Sequence, residues 1–149
     1  MAKRKADEAM LLHPAAIGEI DRGAGVKTTP LVGRWNTRAG RLTTGRTTFG
    51  PGTEIPLHTH NVDETVMLLR GVATVNIDGR AHAARAGDVT WIPAGVPHNF
   101  RNRGAGEMQI YWVYAGRDVS RTIVATGETF EHLSEADRRL ATKPAAGPA

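Results

Sequence analysis

The chain has 149 residues, a length at which one domain buries roughly 68–70% of the surface it would expose unfolded, so one core suffices and a second domain has no room. Its formal net charge is 19 − 15 = +4, mostly scattered arginine with Lys3, Arg4 and Lys5 as the one tight run, whereas a nucleic-acid binder concentrates charge on one stripe and interleaves aromatics. Cysteine is absent, which excludes disulfides, thiolate zinc sites, iron–sulfur clusters and cysteine nucleophiles, and no run approaches the roughly 18 apolar residues of a membrane helix.

The 17 glycines and 8 prolines interrupt the chain too often for long helices and predict an all-β domain of short strands. Met1 to Met10 carry no apolar segment of signal-peptide length, so a cytoplasmic protein is expected, with a small-molecule substrate and neither nucleic acid nor membrane as partner. Residues 1–25, charged and rich in Ala and Gly, read as an N-terminal arm anchored by Leu11, Leu12, Ile17 and Ile20. Residues 26–125 read as the β-domain, and 126–149 as a short helix and a disordered tail.

In chain order, a strand is expected over Leu31 to Trp35, and a clearer, threonine-rich one over Leu42 to Phe49, ending at the turn Gly50-Pro51-Gly52. A short segment at Ile55 to His60, then strands at Glu64 to Leu69 and Val72 to Ile77, lead to Asp78-Gly79. Both positions of that pair tolerate positive φ, so it predicts a tight hairpin returning along Arg80 to Arg85. Val89 to Ile92 is an apolar strand stopped by Pro93, and the loop Pro93 to Pro97 leads into a strand from His98 to about Arg101. In the strand Glu107 to Tyr114, the period of two puts Met108, Ile110, Trp112 and Tyr114 on one face. One more strand is expected at Arg121 to Ala125. Ser134 then starts a helix, with Asp137 reaching back, that ends near Leu140; from Lys143 on the chain has nothing to bury.

Residues two apart on a strand face the same way, so His58 and His60 aim both imidazoles at one point. Glu64 shares their parity after a three-residue interruption, and His98 arrives from a separate strand. Three neutral imidazoles and a carboxylate, without thiolates, suit one borderline divalent ion: Mn²⁺ or Fe²⁺ first, since six-coordination leaves two open positions, with Zn²⁺ and Ni²⁺ as further candidates. Each histidine alone would be an ordinary strand or loop residue; it is their joint spacing that points to metal.

The glycines and prolines around these residues carry a resemblance. Gly52, five residues, His58, Thr59, His60, three residues, Glu64, six residues, Gly71 resembles the first motif of the cupin superfamily. Gly87, five residues, Pro93, Ala94, Gly95, two residues, His98, three residues, Asn102 resembles the second, and fifteen residues separate the two. The resemblance implies a double-stranded β-helix, or jelly-roll, barrel of six to eight strands, with His58, His60, Glu64 and His98 as metal ligands. It also implies a homodimer pairing through its sheets. At Gly52, Gly71, Gly87 and Gly95 the strand ends call for positive φ.

By parity Phe100 faces the metal side, as do Ile110 and Trp112, and Thr47 shares a face with Gly45, whose missing side chain leaves space near the metal. Thr47, Phe100, Ile110 and Trp112 are therefore the expected substrate pocket, mostly apolar and with few fixed charges besides the metal and its glutamate. His13, His82 and His132 are assigned to the surface, Trp91 to packing, and Arg46 to the outward face. The first functional reading is a metal-dependent enzyme that oxidises a small chelating substrate with oxygen, in the manner of a dioxygenase, with Glu64 as the catalytic base. The alternatives are a redox-neutral isomerase or lyase using the metal as Lewis acid, and a ligand-binding module without turnover.

Overall fold

A computed structural model of the chain describes residues 7–145, so the basic run at Lys3 to Lys5 and the end of the tail, 146–149, lie outside the described residues. The strands are β1 (Ile20–Asp21), β2 (Val26–Pro30), β3 (Thr43–Phe49), β4 (His58–His60), β5 (Glu64–Arg70), β6 (Val72–Ile77), β7 (Arg80–Arg85), β8 (Val89–Ile92), β9 (His98–Asn102), β10 (Met108–Tyr114), β11 (Ser120–Ile123) and β12 (Thr129–Glu131). They form two antiparallel sheets of six, ordered β1-β2-β3-β10-β5-β8 and β12-β11-β4-β9-β6-β7. This is an all-β jelly-roll barrel.

The alternation of the sequence orders the core. From residue 45 on, β3 alternates, with 45, 47 and 49 buried and 46 and 48 half-buried, and β10 alternates throughout, with 108, 110, 112 and 114 buried and 109, 111 and 113 half-buried or exposed, as a strand with one face on a core requires. Val26, Phe49, Val66, Leu68, Val75 and Met108 from both sheets pack together between them. Asp78 (φ 50°) and Gly79 (φ 81°) make the expected tight turn between β6 and β7, whose register runs without a break from Ile77–Arg80 to Val72–Arg85.

Gly52, Gly71, Gly87 and Gly95 all have positive φ. At Gly71 the need is double, because φ is +85° and a Cβ would sit 2.6 Å from the Glu107 carbonyl oxygen. Asn102 is a second brace: its side-chain amide donates to the carbonyls of Phe49 and Gly106 and its oxygen accepts from the Gly104 amide, tying the end of β9 to β3 and to the turn before β10.

Three expectations are corrected. Leu31 to Trp35 is not a strand: the strand lies earlier, at β2, where buried Val26 and Thr28 pair with Phe49 and Thr47. After Pro30 the chain turns, with the Gly33 carbonyl accepting from the Asn36 and Thr37 amides and the Leu31 carbonyl from the side chains of Trp35 and Asn36. The C-terminal helix is a single 3-10 turn, Asp137–Arg139. Asp137 is drawn into the core by two arginines, which holds the segment by tertiary contact and ends the helix after one turn. Trp91, assigned to packing, is 63% exposed because odd positions of β8 face out while Ile92 faces in. The sheets also reach past residues 26–125 on both sides, through β1 and β12.

Candidate metal centre

His58 and His98 lie directly opposite each other on adjacent strands β4 and β9, and His60 lies two residues further along β4. Glu64 opens β5 in the other sheet, where it pairs with Tyr114 and Ile92, so it reaches across the interior instead of lying beside the histidines. The loop between β4 and β5 is held by side chains. The Asp63 carboxylate accepts from the Ala94 amide, and Asn61 bonds Ser120 and Asp118, while the Gly95 amide donates to the His60 carbonyl. The loop before His98 is thereby locked to the loop before Glu64.

Each imidazole is oriented by a backbone carbonyl: His58 Nδ1 to Pro56 O at 2.6 Å, His60 Nδ1 to Ser120 O at 2.9 Å, and His98 Nδ1 to Val96 O at 2.9 Å. A carbonyl can only accept, so the proton of each neutral ring is assigned to Nδ1 and the Nε2 lone pair is left free. The ligand atoms of the three rings lie within 4.8 Å of one another, and all three residues are buried. His60 Nε2 is 3.3 Å from Glu64 Oε2 and His98 Nε2 is 3.2 Å from Glu64 Oε1. His60 Nε2, His98 Nε2 and Glu64 Oε1 have no hydrogen-bond partner. Buried acceptors facing one another without a proton between them are costly unless a cation joins them, and a divalent ion with nitrogen and oxygen preference fits this donor set.

The electrostatics agree. Burial, followed by Arg121 and the neighbouring imidazoles, pushes His58 well below the ordinary histidine value, and burial outweighs the nearby Glu64 to lower His60 as well. Both rings are therefore neutral, the form that binds metal.

Beside the cluster lies a chamber of about 30 Å³, room for about two waters. Thr47, Phe100, Ile110 and Trp112 line it with His58, Glu64 and His98. The Thr47 hydroxyl is engaged, accepting from Trp112 Nε1 at 2.9 Å and lying 2.9 Å from the Thr28 hydroxyl. Gly45 does not open space near the metal side: a Cβ there would fall 2.2 Å from the Trp112 ring, which fills the gap.

The expectation of few fixed charges is also corrected. Arg22, Arg121 and Tyr114 line the chamber, all buried. Asp137, fully buried, binds Arg121 Nη1 through Oδ1, while its Oδ2 lies 3.5 Å from Arg22 Nη2 and 2.8 Å from the Leu133 amide. Burial and the neighbouring Arg121 lower Arg22 to about 10, whereas Asp137 and then Tyr114 overcome the burial of Arg121 and raise it. Burial, then Glu64, pushes the Tyr114 phenol up, so it stays protonated. His132, assigned to the surface, is buried with its ring 5.1 Å from both Trp112 and Tyr114, while His13 and His82 are exposed. Arg121 had a legible signal, since it shares parity with the apolar Val119 and Ile123, both buried. Arg22, Asp137 and His132 carry no such local pattern, because contacts more than a hundred residues away in sequence draw Arg22 and Asp137 inward.

Residues 45–114 match the family model of the cupin domain. Among curated proteins, the chain is 29% identical to a quercetin 2,3-dioxygenase of Bacillus subtilis over 84 residues, 56% of this chain and 25% of that protein. It is 31% identical to a Myxococcus xanthus protein named endoribonuclease YbeY over 93 residues, 62% of this chain and 31% of that one. The chain therefore spans a quarter to a third of the length of these relatives. Among solved structures, the polyketide cyclase RemF of Streptomyces resistomycificus superposes with a TM-score of 0.65 at 17% identity, covering 88% of this chain and 91% of that one, a likeness of fold.

Proposed function

This chain is a member of the cupin superfamily, and from that premise we propose that it is a metal-dependent enzyme acting on a small, metal-chelating substrate, with oxygen-dependent oxidation as the leading reaction. The observation that carries the reading is the trio of inward imidazoles, each fixed at Nδ1 by a carbonyl, set against a buried carboxylate whose Oε1 has no hydrogen-bond partner. His58, His60, Glu64 and His98 would hold one divalent ion, Mn²⁺ or Fe²⁺ first. Bound there, the ion supplies Lewis acidity and open positions for substrate and oxygen.

The protein's own groups do the rest. Phe100, Ile110, Val66 and Trp112 keep bulk water from the chamber, which strengthens every electrostatic interaction inside it. Among the described residues lining the chamber Glu64 is the carboxylate, and so it is the group placed to accept a proton from substrate. The chamber's size favours a substrate of a few heavy atoms and disfavours a polycyclic one.

A redox-neutral isomerase or lyase is the second reading, favoured by the Tyr114 phenol, a neutral hydrogen-bonding group that lines the same chamber as Glu64. Elemental analysis of natively expressed protein is expected to find one divalent ion per chain, most of it lost in both His58→Ala and His98→Ala; full occupancy in both variants would sink the ligand assignment. Oxygen consumption by Mn²⁺- or Fe²⁺-loaded protein with a small diketone supports the first reading, and anaerobic turnover supports the second. Ligand binding with no turnover in either assay makes the protein a binding module.

A homodimer is also proposed. Met67, Val89 and Tyr111 stand in register on the outward face of β5, β8 and β10, and with Leu69 and Trp91 they form an exposed apolar surface at the sheet edge suited to a second copy of the chain.

A further inference from the structure

The interior charge around the chamber does not close. Arg22 and Arg121 contribute two cations and Asp137 and Glu64 two anions, a sum of zero in which every one of the four is at least nine-tenths buried. Adding the divalent ion of the proposed metal reading leaves two positive charges without partners in a water-poor interior, where uncompensated charge is costly. Arg121 also has a free hand: Nη1 is bound to Asp137, but Nε is buried and has no hydrogen-bond partner. Arg22, by contrast, is fully engaged by Thr28 Oγ1 and the carbonyls of Asp137 and Arg138. Arg121 pairs in register with His60 and lines the same chamber as His58, His98 and Glu64.

We infer that Arg121 is the substrate anchor, and that the substrate class is a small carboxylate that spans from its guanidinium to the metal cluster. This inference rests on the metal reading for the far end of the substrate and on Arg121 alone for the near end. A guanidinium presents a fork of N–H donors that a carboxylate fills and a neutral amide of the same shape does not. A chamber of about 30 Å³ limits that carboxylate to a small one.

The test is calorimetric titration of sodium acetate, with acetamide as the neutral isostere, into Mn²⁺-loaded and metal-free protein. Acetate is expected to bind and acetamide to bind at least about tenfold more weakly. Arg121→Gln is expected to weaken acetate at least about tenfold with its manganese content unchanged. Should that variant fail to fold because Asp137 is left short of a partner, Arg121→Gln/Asp137→Asn removes one charge of each sign and keeps the interior sum; the same loss is expected. Equal binding of acetate and acetamide, or wild-type acetate affinity in a folded Arg121 variant that retains manganese, overturns the inference and leaves the metal site standing. Wild-type protein that takes up no manganese overturns the metal reading instead; Arg121-dependent acetate binding to that metal-free protein would still uphold the anchor, and its absence would overturn it.

Discussion

Asp137→Asn is the most demanding perturbation of this fold. The aspartate is fully buried and serves Arg121, Arg22 and the Leu133 amide at once, so it joins β11, the turn after β1 and the C-terminal 3-10 turn. Asparagine keeps the shape and one acceptor oxygen but removes the charge, leaving two guanidiniums facing each other in the interior. Breaking a buried ion pair by neutralising one partner costs about 3–5 kcal/mol, against a total stability of roughly 5–15 kcal/mol for an ordinary domain. A melting temperature lowered on the order of 10 °C follows for a chain of this size. Urea unfolding followed by tryptophan fluorescence gives the free energy directly. The cycle with Arg121→Gln supplies the mechanism: the double variant should cost at least about 1 kcal/mol less than the sum of the singles, because the partners act as a unit. A cost below about 1 kcal/mol for Asp137→Asn, or strict additivity, would show that the arginines do not depend on this carboxylate.

Gly45→Ala should destabilise by about 1–3 kcal/mol, as overpacking does, because its Cβ would fall 2.2 Å from the Trp112 ring; an unchanged melting temperature would mean that the indole moves freely. His132 is held well below its ordinary value by burial, then Arg121 and His60, so the unfolded chain takes up a proton that the folded one refuses. Its contribution is complete above about pH 6.5 and lost as pH falls below it, by up to about 1.4 kcal/mol per pH unit. His132→Phe should flatten the fall in stability between pH 6 and 5, and an identical pH slope in the variant would refute this. Trp91→Glu, which puts a charge into the exposed apolar face of β8, should turn the proposed dimer into monomer by light scattering at micromolar concentration, and a monomeric wild type would refute the homodimer.

The barrel and its four candidate ligands were legible in the sequence because they rest on short-range rules. Period-two alternation sets the faces of β3 and β10, Asp78-Gly79 sets a hairpin, and glycines mark the turns where φ is positive. The spacing of His58, His60, Glu64 and His98 could be read as a constellation, and the fold brings the four together from two sheets, with Glu64 facing the histidines from β5. The short strands β2 and β12 were not visible as strands, since each owes its place to the strand it pairs with more than to its own residues.

What only the tertiary structure decided is the electrostatic character of the interior. Arg22 and Asp137 look like ordinary surface charges in sequence, and nothing local distinguishes them from exposed Arg138 and Arg139. They are buried because the segments before β2 and after β12 close over the same end of the barrel and neutralise one another there. Local patterning fixes which way a side chain faces on its own strand; which charges meet across the interior depends on segments brought together by the fold, and that set puts two buried arginines at the wall of a pocket the sequence reads as mostly apolar.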